Sequence, residues 1–285
     1  MPEQSPRHLI LSLFGLYARD SSTGPGRRAP HWLSVRSLIA LMEDLSVDAA
    51  ATRSSVSRLK KRAVLEPARV DGQAGYRLSH AALAVLREGD ARIWSRPRAS
   101  VGDGWLVVVF SVPEAERGRR HELRSLLTHL GFGTAAPGVW IAPGTAYDET
   151  LAALDRAGLT AYTELFRGDY LGSGPPDVRV GEWWNLPSIA ALYDEFVADH
   201  RALTRRNLRL GDASRPEADP ARAFTAYVPM LTAWRRLPYL DPGIPLELLP
   251  RDWPGVRAGE LFATLDARLR SPAATHAHAL IGFSS

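Results

Sequence analysis

A short stretch near residue 50 carries the residue types that bind phosphate groups and the edges of nucleic-acid bases. Residues 46–62 read SVDAAATRSSVSRLKKR and contain the only two lysines of the chain, Lys60 and Lys61. At about 100° per residue, a helix would gather small hydroxyl side chains and basic side chains on one face, namely Arg53, Ser54, Ser57, Arg58 and Lys61. No acid occurs between Thr52 and Arg62. The face therefore lacks the mixed-charge pairs typical of a helix that is only solvated.

Two preceding elements would hold this face in place. Apolar residues at helical spacing over residues 35–45 predict a helix with Ser34 as its N-cap. Ser46 and Val47 predict a tight turn, and Asp48 predicts the cap of the next helix, Asp48–Arg62. We expect the buried stripe of that helix to contain Thr52, Val56, Leu59 and Ala63. A helix, a turn and a basic second helix are typical of the helix-turn-helix, whose second helix enters the major groove.

A hairpin is predicted directly after the basic helix. Leu65–Val70 and Gly75–Ser79 are two strand-like runs around the residues DGQA, in which Gly72 can supply a positive φ. A basic hairpin in this position is typical of the wing of a winged helix. Arg69, Gln73 and Arg77 are then predicted to contact the DNA backbone or the minor groove. The same module can serve protein contacts alone, and that alternative stays open.

The distribution of charge favours a nucleic-acid partner. The net charge is +4, but residues 1–100 hold 16 basic and 9 acidic side chains, while the rest of the chain holds 19 and 22. A GC-rich genome would explain arginine in place of lysine, but it would not explain the concentration of basic charge in one third of the chain. A basic N-terminal third followed by a mildly acidic remainder is typical of a protein that binds a negatively charged partner at one end.

Several classes of chemistry are missing from the sequence. There is no cysteine, which excludes disulfides and thiolate metal sites and fits a cytoplasmic location. The longest apolar run is Trp105–Phe110, far short of a membrane span, and we expect no membrane contact. The sequence carries no phosphate-binding or dinucleotide-binding glycine motif and no nucleophile elbow, and we predict no cofactor and no catalytic residue.

The predicted fold class is α+β, with three domains. They are a winged helix-turn-helix domain (1–95), a central ferredoxin-like domain (104–170) and a helical C-terminal domain (178–285), and the first contains a predicted flexible loop at Ser21–Pro30. The central domain is predicted from a β-α-β-β-α-β order. Its strands are Trp105–Val112, Gly131–Thr134, Val139–Ala142 and Thr160–Arg167, and its helices are Glu114–Leu130 and Tyr147–Ala157.

Four segments resemble the PaaX family of bacterial transcriptional repressors. They read LSVDAAATRSSVSRLKKRAVL, FSVPE, HELRSLLTHLGFGTAAPGVWIAP and LPYLDPGIPLELLPRDWPG, and the likeness runs from about Leu9 to Leu269. The resemblance implies a winged-helix domain that binds double-stranded operator DNA, a central domain similar to small CRISPR-associated nucleases, and a helical C-terminal domain. It also implies an acyl-CoA effector, since the best-known members repress phenylacetate-degradation genes and are released by phenylacetyl-CoA. Arg53 matches an arginine usual in the family, whereas Ser46 stands where a glycine is common.

The resemblance also raises an enzymatic alternative, a metal-dependent nuclease. Such nucleases hold a divalent cation with an aspartate at the end of the first strand. Here that strand runs into Ser111, Val112 and Pro113, while Glu114 and Glu116 lie beyond the proline. Acids are ordinary in the first turn of a helix, and we therefore predict no metal site and no nuclease activity.

Three helices are predicted in the C-terminal domain, at Glu182–Arg206, Asp219–Pro242 and Gly255–Arg270. Aromatic and arginine side chains there could form a pocket for the phosphates and the acyl group of the effector, namely Trp183, Trp184, Trp234, Arg235, Arg236 and Tyr239. The alternative is that the tryptophans belong to the core and the arginines to a solvated face. A helical tail can also dimerise, and a homodimer would match a palindromic operator. The close pair His276 and His278 is predicted to lie in a plain tail.

Overall fold

A computed structural model describes residues 5–19, 32–95, 98–208 and 219–282 of the chain. These residues form helices and two antiparallel sheets, which confirms the α+β class. The predicted flexible loop at Ser21–Pro30 lies outside the described residues. No helix in the described ranges combines the length and hydropathy of a membrane-spanning segment.

The chain divides into two compact units, each built from segments that are distant in sequence. Unit 1 comprises residues 1–89, 196–234 and 259–285, and unit 2 comprises residues 90–195 and 235–258. The three predicted domains follow the order of the chain, and their boundaries stay a prediction.

The N-terminal part of unit 1 contains four helices and a three-stranded sheet. The helices are α1 (Pro6–Tyr17), α2 (Val35–Asp44), α3 (Ala49–Lys61) and α4 (His80–Asp90), and the strands are β1 (Leu33–Ser34), β2 (Leu65–Val70) and β3 (Gln73–Leu78). The strand order is β1–β3–β2. Leu33 pairs with Tyr76 and Leu65 with Leu78, so that β3 lies between its neighbours.

The starts of α2 and α3 are fixed by side-chain caps. Ser34 Oγ accepts a hydrogen bond from the Ser37 amide at 2.9 Å, and Asp48 Oδ1 accepts one from the Ala51 amide at 2.7 Å. Each cap satisfies an amide that has no partner within the helix. Between the helices, Ser46 adopts a left-handed φ of 62°. Both predicted caps and the predicted turn at Ser46 are thereby confirmed.

Helices from the C-terminal half complete the core of unit 1. Helix α9 (Pro220–Trp234) contacts α1, and Thr232 Oγ1 donates to Ser12 Oγ at 2.7 Å between them. The Trp234 ring is fully buried and stacks on the Phe262 ring with centroids 4.4 Å apart. The N-terminal apolar segment HLILSLFGLYA thus forms a helix with a buried face.

Unit 2 contains a four-stranded sheet and two helices joined in the predicted β-α-β-β-α-β order. The elements are β4 (Trp105–Phe110), α5 (Arg117–His129), β5 (Gly133–Ala136), β6 (Val139–Pro143), α6 (Tyr147–Ala157) and β7 (Thr163–Gly168). The strand order is β5–β6–β4–β7, and every pair is antiparallel. Two predicted strands start too early in the sequence. Gly131, at a φ of 84°, ends α5 before β5 begins, and residues 160–162 form a 3-10 turn before β7.

The C-terminal helices differ from the prediction at their ends. The predicted helix Glu182–Arg206 is two helices, α7 (Pro176–Trp183) and α8 (Leu186–Leu208). Extended backbone at Trp184 and the cap that Asn185 Oδ1 provides to the Ser188 amide separate them. The predicted helix Asp219–Pro242 is likewise α9 followed by a short α10 (Leu237–Leu240).

The last helix is longer than the sequence predicts. Helix α11 (Pro254–Ile281) continues eleven residues past the predicted end at Arg270 and includes Pro272 in its interior. Ala273 and Ala277 are fully buried beyond that proline, so packing sustains the helix there. The prediction that His276 and His278 lie in a plain tail is therefore wrong.

Candidate nucleic-acid interface

Helix α3 presents one buried face and one exposed face. Thr52, Ser55, Val56 and Leu59 are buried. The opposite face is exposed and carries all the residues predicted to read bases or hold phosphates from this helix, namely Arg53, Ser54, Ser57, Arg58, Lys60 and Lys61. Ala63 was expected on the buried stripe, but it is exposed and lies past the helix end at a left-handed φ of 53°.

Neighbouring groups orient two of the basic side chains. Arg58 Nη2 donates to the buried Ser55 Oγ at 3.1 Å, which directs the guanidinium along the helix. The Lys60 ammonium lies 5.8 Å from the centre of the Tyr76 ring on β3, within the range of a cation–π contact. Arg53 and Lys61 have no acidic partner among the described residues. Their charges are thus available to an external anion.

The hairpin that follows α3 closes with a two-residue turn. Asp71 and Gly72 have φ values of 48° and 78°, and Val70 pairs with Gln73 across them. Positive φ at both central residues is the geometry of a tight hairpin turn that matches strand twist. The turn is shorter than predicted from DGQA, because Gln73 and Ala74 already belong to β3.

The two faces of the hairpin carry different predicted contacts. Directly opposed residues of an antiparallel pair project to the same face, and the register places Arg69 on the face that holds Leu65 and Tyr76. Gln73 and Arg77 project to the other face. Arg69 is exposed and has no acidic partner among the described residues. Arg69, Gln73 and Arg77 were all predicted to contact DNA from the wing, but in the structure they do not share one face of the hairpin.

Arg77 already has a partner within the hairpin. Its Nε and Nη2 both donate to Glu66 Oε2 at 3.1 Å, and the two residues stand opposite each other in the register. Both side chains are largely exposed, so this ion pair contributes little to stability. It does offset the charge of Arg77, which weakens that residue as a phosphate contact compared with Arg69.

Sequence reasoning missed two residues of this surface. Tyr76 supports Lys60 through its ring, and Arg62 adds an exposed guanidinium at the end of α3. The run of three basic residues that ends at Arg62 was a sequence signal for Arg62. No sequence signal indicated Tyr76, because its role follows from the strand register, which brings its ring towards the last turn of α3.

The six residues predicted to bind an effector divide between the two units. Trp234 belongs to unit 1 and is fully buried, while the other five belong to unit 2. Trp184 is buried and donates from Nε1 to the Gly131 carbonyl at 2.9 Å. Trp183 is half-buried and meets the Trp105 and Tyr170 rings edge-on, each at 5.4 Å between centroids. Trp184 and Trp234 pack as core side chains in their own units, whereas Trp183 is partly accessible.

The remaining members of that set lie near α10. Arg235 is half-buried, and Arg236 is exposed. Tyr239 is half-buried, with the His129 ring stacked at 5.5 Å and the Arg92 guanidinium 5.6 Å from its ring centre. Burial raises the pKa of the Tyr239 phenol. Its hydroxyl therefore stays protonated at neutral pH.

The end of β4 has no acidic side chain. Glu114 and Glu116 lie in a 3-10 turn beyond Pro113, and Glu116 accepts a hydrogen bond from the Tyr162 hydroxyl. Glu114 lies 3.7 Å from Arg120. Among the described residues, no group of three or more His, Asp or Glu side chains could share a metal ion. The donor set that a metal-dependent nuclease would need at this strand is not formed.

Three family models match consecutive parts of the chain. They are a PaaX-like protein over residues 5–82, the PaaX protein central Cas2-like domain over residues 98–180 and the PaaX-like protein C-terminal domain over residues 184–279. The central domain is thus Cas2-like. Since the three matches span nearly the whole sequence, the chain belongs to the PaaX family.

Individual proteins similar to this chain include a repressor and a protein of solved structure. The transcriptional repressor PaaX of Escherichia coli (strain K12) is 28% identical over 269 residues, which cover 93% of this chain and 80% of that protein. That relative is a regulator, in agreement with the prediction that the chain is not an enzyme. The solved structure of the uncharacterized protein Rv0674 from Mycobacterium tuberculosis covers 97% of both chains at 22% identity with a TM-score of 0.55. This second likeness concerns the fold alone.

Proposed function

We propose that the protein is a sequence-specific, DNA-binding transcriptional repressor. The observation that carries the proposal is the exposed face of α3, which holds hydroxyl and basic side chains and no acid. Small hydroxyl residues allow close approach to base edges, and basic residues neutralise phosphates. The name of the Escherichia coli relative, a transcriptional repressor, supports the same function.

In this proposal the N-terminal domain is a winged helix-turn-helix. Helices α2 and α3 with the turn at Ser46 form the helix-turn-helix, and the β2–β3 hairpin is the wing. The central domain is ferredoxin-like, which the strand order β5–β6–β4–β7 supports. The three domains keep the boundaries 1–95, 104–170 and 178–285.

The residues of the proposed interface divide into two roles. Base edges are contacted by Arg53, Ser54, Ser57 and Arg58. Phosphates are held by Lys60, Lys61 and Arg69, with Gln73 and Arg77 on the second face of the wing. Arg77 joins them only when its pair with Glu66 opens, so its contribution is smaller than that of Arg69.

Regulation completes the proposal. The protein acts in the cytoplasm as a homodimer on a palindromic operator, and an aryl- or acyl-CoA such as phenylacetyl-CoA releases it. The resemblance to the PaaX family supports the effector and the repressive direction. The predicted effector set has to be narrowed, because Trp184 and Trp234 are buried core side chains. Trp183, Arg235, Arg236 and Tyr239 are half-buried or exposed and stay in the proposed effector set.

Recovery of genomic fragments by the purified full-length protein tests the DNA-binding function. The wild type should enrich a small set of fragments that share one palindromic sequence. Ser57→Glu adds an acid at the centre of the exposed face of α3 and should abolish the enrichment. The matched control is Arg268→Ala, which removes an exposed arginine of α11 in the same unit.

Three results would count against the proposal. Equal recovery of all fragments by the wild type would leave only electrostatic binding without sequence preference. An unchanged fragment set for Ser57→Glu would move the contact surface away from α3. If no DNA is recovered at modest salt, the winged helix serves protein contacts.

A further inference from the structure

An open groove runs along one face of α5 in unit 2. It has a volume of about 740 Å³ and is lined at one end by basic side chains, namely Arg117, Arg120, His121 and Arg124. At its other end it is lined by Thr128, His129 and Leu240. A volume of this size falls in the range of small-molecule sites.

The positive charge at the basic end of the groove is not fully offset by neighbouring acidic side chains. Arg117 and Arg120 are three residues apart, and Arg120 and Arg124 are four residues apart, so like charges meet on one side of the helix. Arg117 and Arg124 have no acidic partner among the described residues. Among the described residues, one carboxylate approaches these arginines: that of Glu114, which also lines the groove and lies 3.7 Å from Arg120. Such an arrangement destabilises the free helix and is relieved by a bound anion.

One of these arginines is held in place by the backbone. Arg120 Nη2 donates to the Val112 carbonyl at 3.0 Å, which anchors its guanidinium beside the groove. Arg119, by contrast, pairs with Glu122 at 2.9 Å and does not line the groove. The arginines of α5 therefore fall into two sets, and only the set that lines the groove is open to a ligand.

The other end of the groove suits a flat ring. The imidazole of His129 stacks on the Tyr239 ring at 5.5 Å with planes 23° apart, and Leu240 is 38% exposed beside them. Arg92 supports this end from behind. Its guanidinium lies 5.6 Å from the Tyr239 ring centre, and it pairs with Glu149 at 2.6 Å. The apolar surface is thus rigidly backed.

We propose that this groove binds a ligand that joins two or more linked phosphates to a planar ring, such as a nucleoside diphosphate. Phosphate oxygens pair with Arg117, Arg120 and Arg124, since guanidinium groups bind phosphate in a bidentate manner. The ring lies against His129 and Leu240. From Arg117 to His129 the helix rises about 18 Å, enough for a nucleoside diphosphate in extended form. Double-stranded DNA fits less well, because its charged phosphate backbone would make no favourable contact with the apolar end of the groove.

The role of this ligand as an effector rests on the proposed function, while its binding does not. Calorimetric titration of the full-length protein with ADP, inorganic pyrophosphate and adenosine tests the binding. ADP should bind more tightly than pyrophosphate, and adenosine should not bind measurably. Arg124→Ala and Arg117→Ala should each lower the affinity for ADP by about tenfold. Arg119→Ala, on the same helix but outside the groove, should leave the ADP affinity unchanged.

A further variant and a further ligand sharpen the result. Thr128→Trp fills the apolar end of the groove, where the ring of the ligand would lie, and should abolish ADP binding. Unchanged circular dichroism and melting temperature are the test of folding. Coenzyme A carries the same diphosphate and ring, and its affinity relative to ADP tells whether the groove prefers a free nucleotide or a thioester carrier. Equal ADP binding by Arg119→Ala and Arg124→Ala would overturn the proposal, as would no ADP binding by the wild type.

The test separates this site from the proposed function. Loss of ADP binding in Arg124→Ala with operator affinity unchanged would establish the groove as a ligand site distinct from the DNA surface. If Arg124→Ala instead weakens binding of a duplex that lacks the operator and ADP does not bind, the groove is a nucleic-acid surface and the proposal fails. Absence of any DNA binding by the wild type would contradict the regulator function and leave an observed ADP site intact.

Discussion

The imidazole Nε2 of His276 lies 2.7 Å from Oδ2 of Asp44. His276 belongs to α11, near the end of the chain, and Asp44 is the last residue of α2, two residues before the turn at Ser46. The His276 ring also packs on the Phe224 ring at 5.2 Å. The C-terminal helix therefore contacts the helix that precedes the proposed recognition helix, within one compact unit.

The first prediction concerns this contact. Asp44→Ala and His276→Ala should each lower the free energy of unfolding, and the double variant should lose less than the sum. We expect a coupling energy of about 0.5 kcal/mol at neutral pH, because Asp44 is partly exposed. Urea unfolding of the four proteins measures it. Strictly additive losses would mean that the two side chains do not interact in solution.

The second prediction concerns the left-handed turn between α2 and α3. Ser46 has a φ of 62°, a conformation that costs a serine more than a glycine. Ser46→Gly should raise the free energy of unfolding by about 0.5 kcal/mol, the balance of relieved strain and the greater entropy of the unfolded glycine chain. Ser46→Val, in which the side chain is β-branched, should lower it. Chemical denaturation compares the three proteins, and a less stable glycine variant would argue against the turn geometry.

The third prediction separates base contacts from phosphate contacts. Arg53→Ala should reduce the preference for the operator over a scrambled duplex by about 1–3 kcal/mol if Arg53 pairs with a guanine. Lys61→Ala should weaken binding to both duplexes alike. It should also reduce the slope of log affinity against log salt concentration by about one. Fluorescence anisotropy on both duplexes gives these values, with Arg268→Ala as the control. Equal losses on every sequence for both variants would contradict the two roles.

The fourth prediction concerns pH. His200 is buried, its Nδ1 donates to the Phe196 carbonyl at 2.8 Å, and burial lowers the pKa of its imidazole. The unfolded chain takes up this proton at a higher pH than the folded chain. Stability is therefore complete above the usual histidine pKa of about 6.5 and falls as the pH decreases below it.

Urea unfolding at about pH 7.5 and about pH 5.5 measures this loss of stability. His200→Leu, which has no titrating ring, should lose less stability over that interval than the wild type. His80→Gln replaces an exposed histidine and serves as the control, with a loss like that of the wild type. A loss in His200→Leu as large as in the wild type would assign the pH dependence to other groups.

Local signals in the sequence were enough to predict the elements of the interface. Ser34 and Asp48 are strong N-caps, and Asp71 with Gly72 is a favoured hairpin turn, so these features depend on neighbouring residues alone. The helices predicted in the central domain, Glu114–Leu130 and Tyr147–Ala157, likewise correspond to α5 and α6, although α5 begins only at Arg117.

Long-range packing explains what the sequence did not reveal. Helix α11 continues past Pro272 because Ala273 and Ala277 are buried, and no local pattern indicates that burial. The pairing of Arg77 with Glu66 depends on strand register. Trp234 and Trp183, which the sequence grouped in one predicted effector set, belong to different units. The spacing of aromatic residues along the chain therefore could not tell a core residue from a binding residue.

The central claim is tested most directly by fluorescence anisotropy of the full-length protein on a fragment recovered from its genome. The measurement is repeated over a series of salt concentrations. The account predicts tighter binding to this fragment than to a scrambled duplex, and an affinity that falls with salt by about 0.9 log units per log unit for each phosphate neutralised. It also predicts that Ser57→Glu removes the preference. Weak binding that is indifferent to both salt and sequence would contradict the assignment of α3 as a DNA-recognition helix.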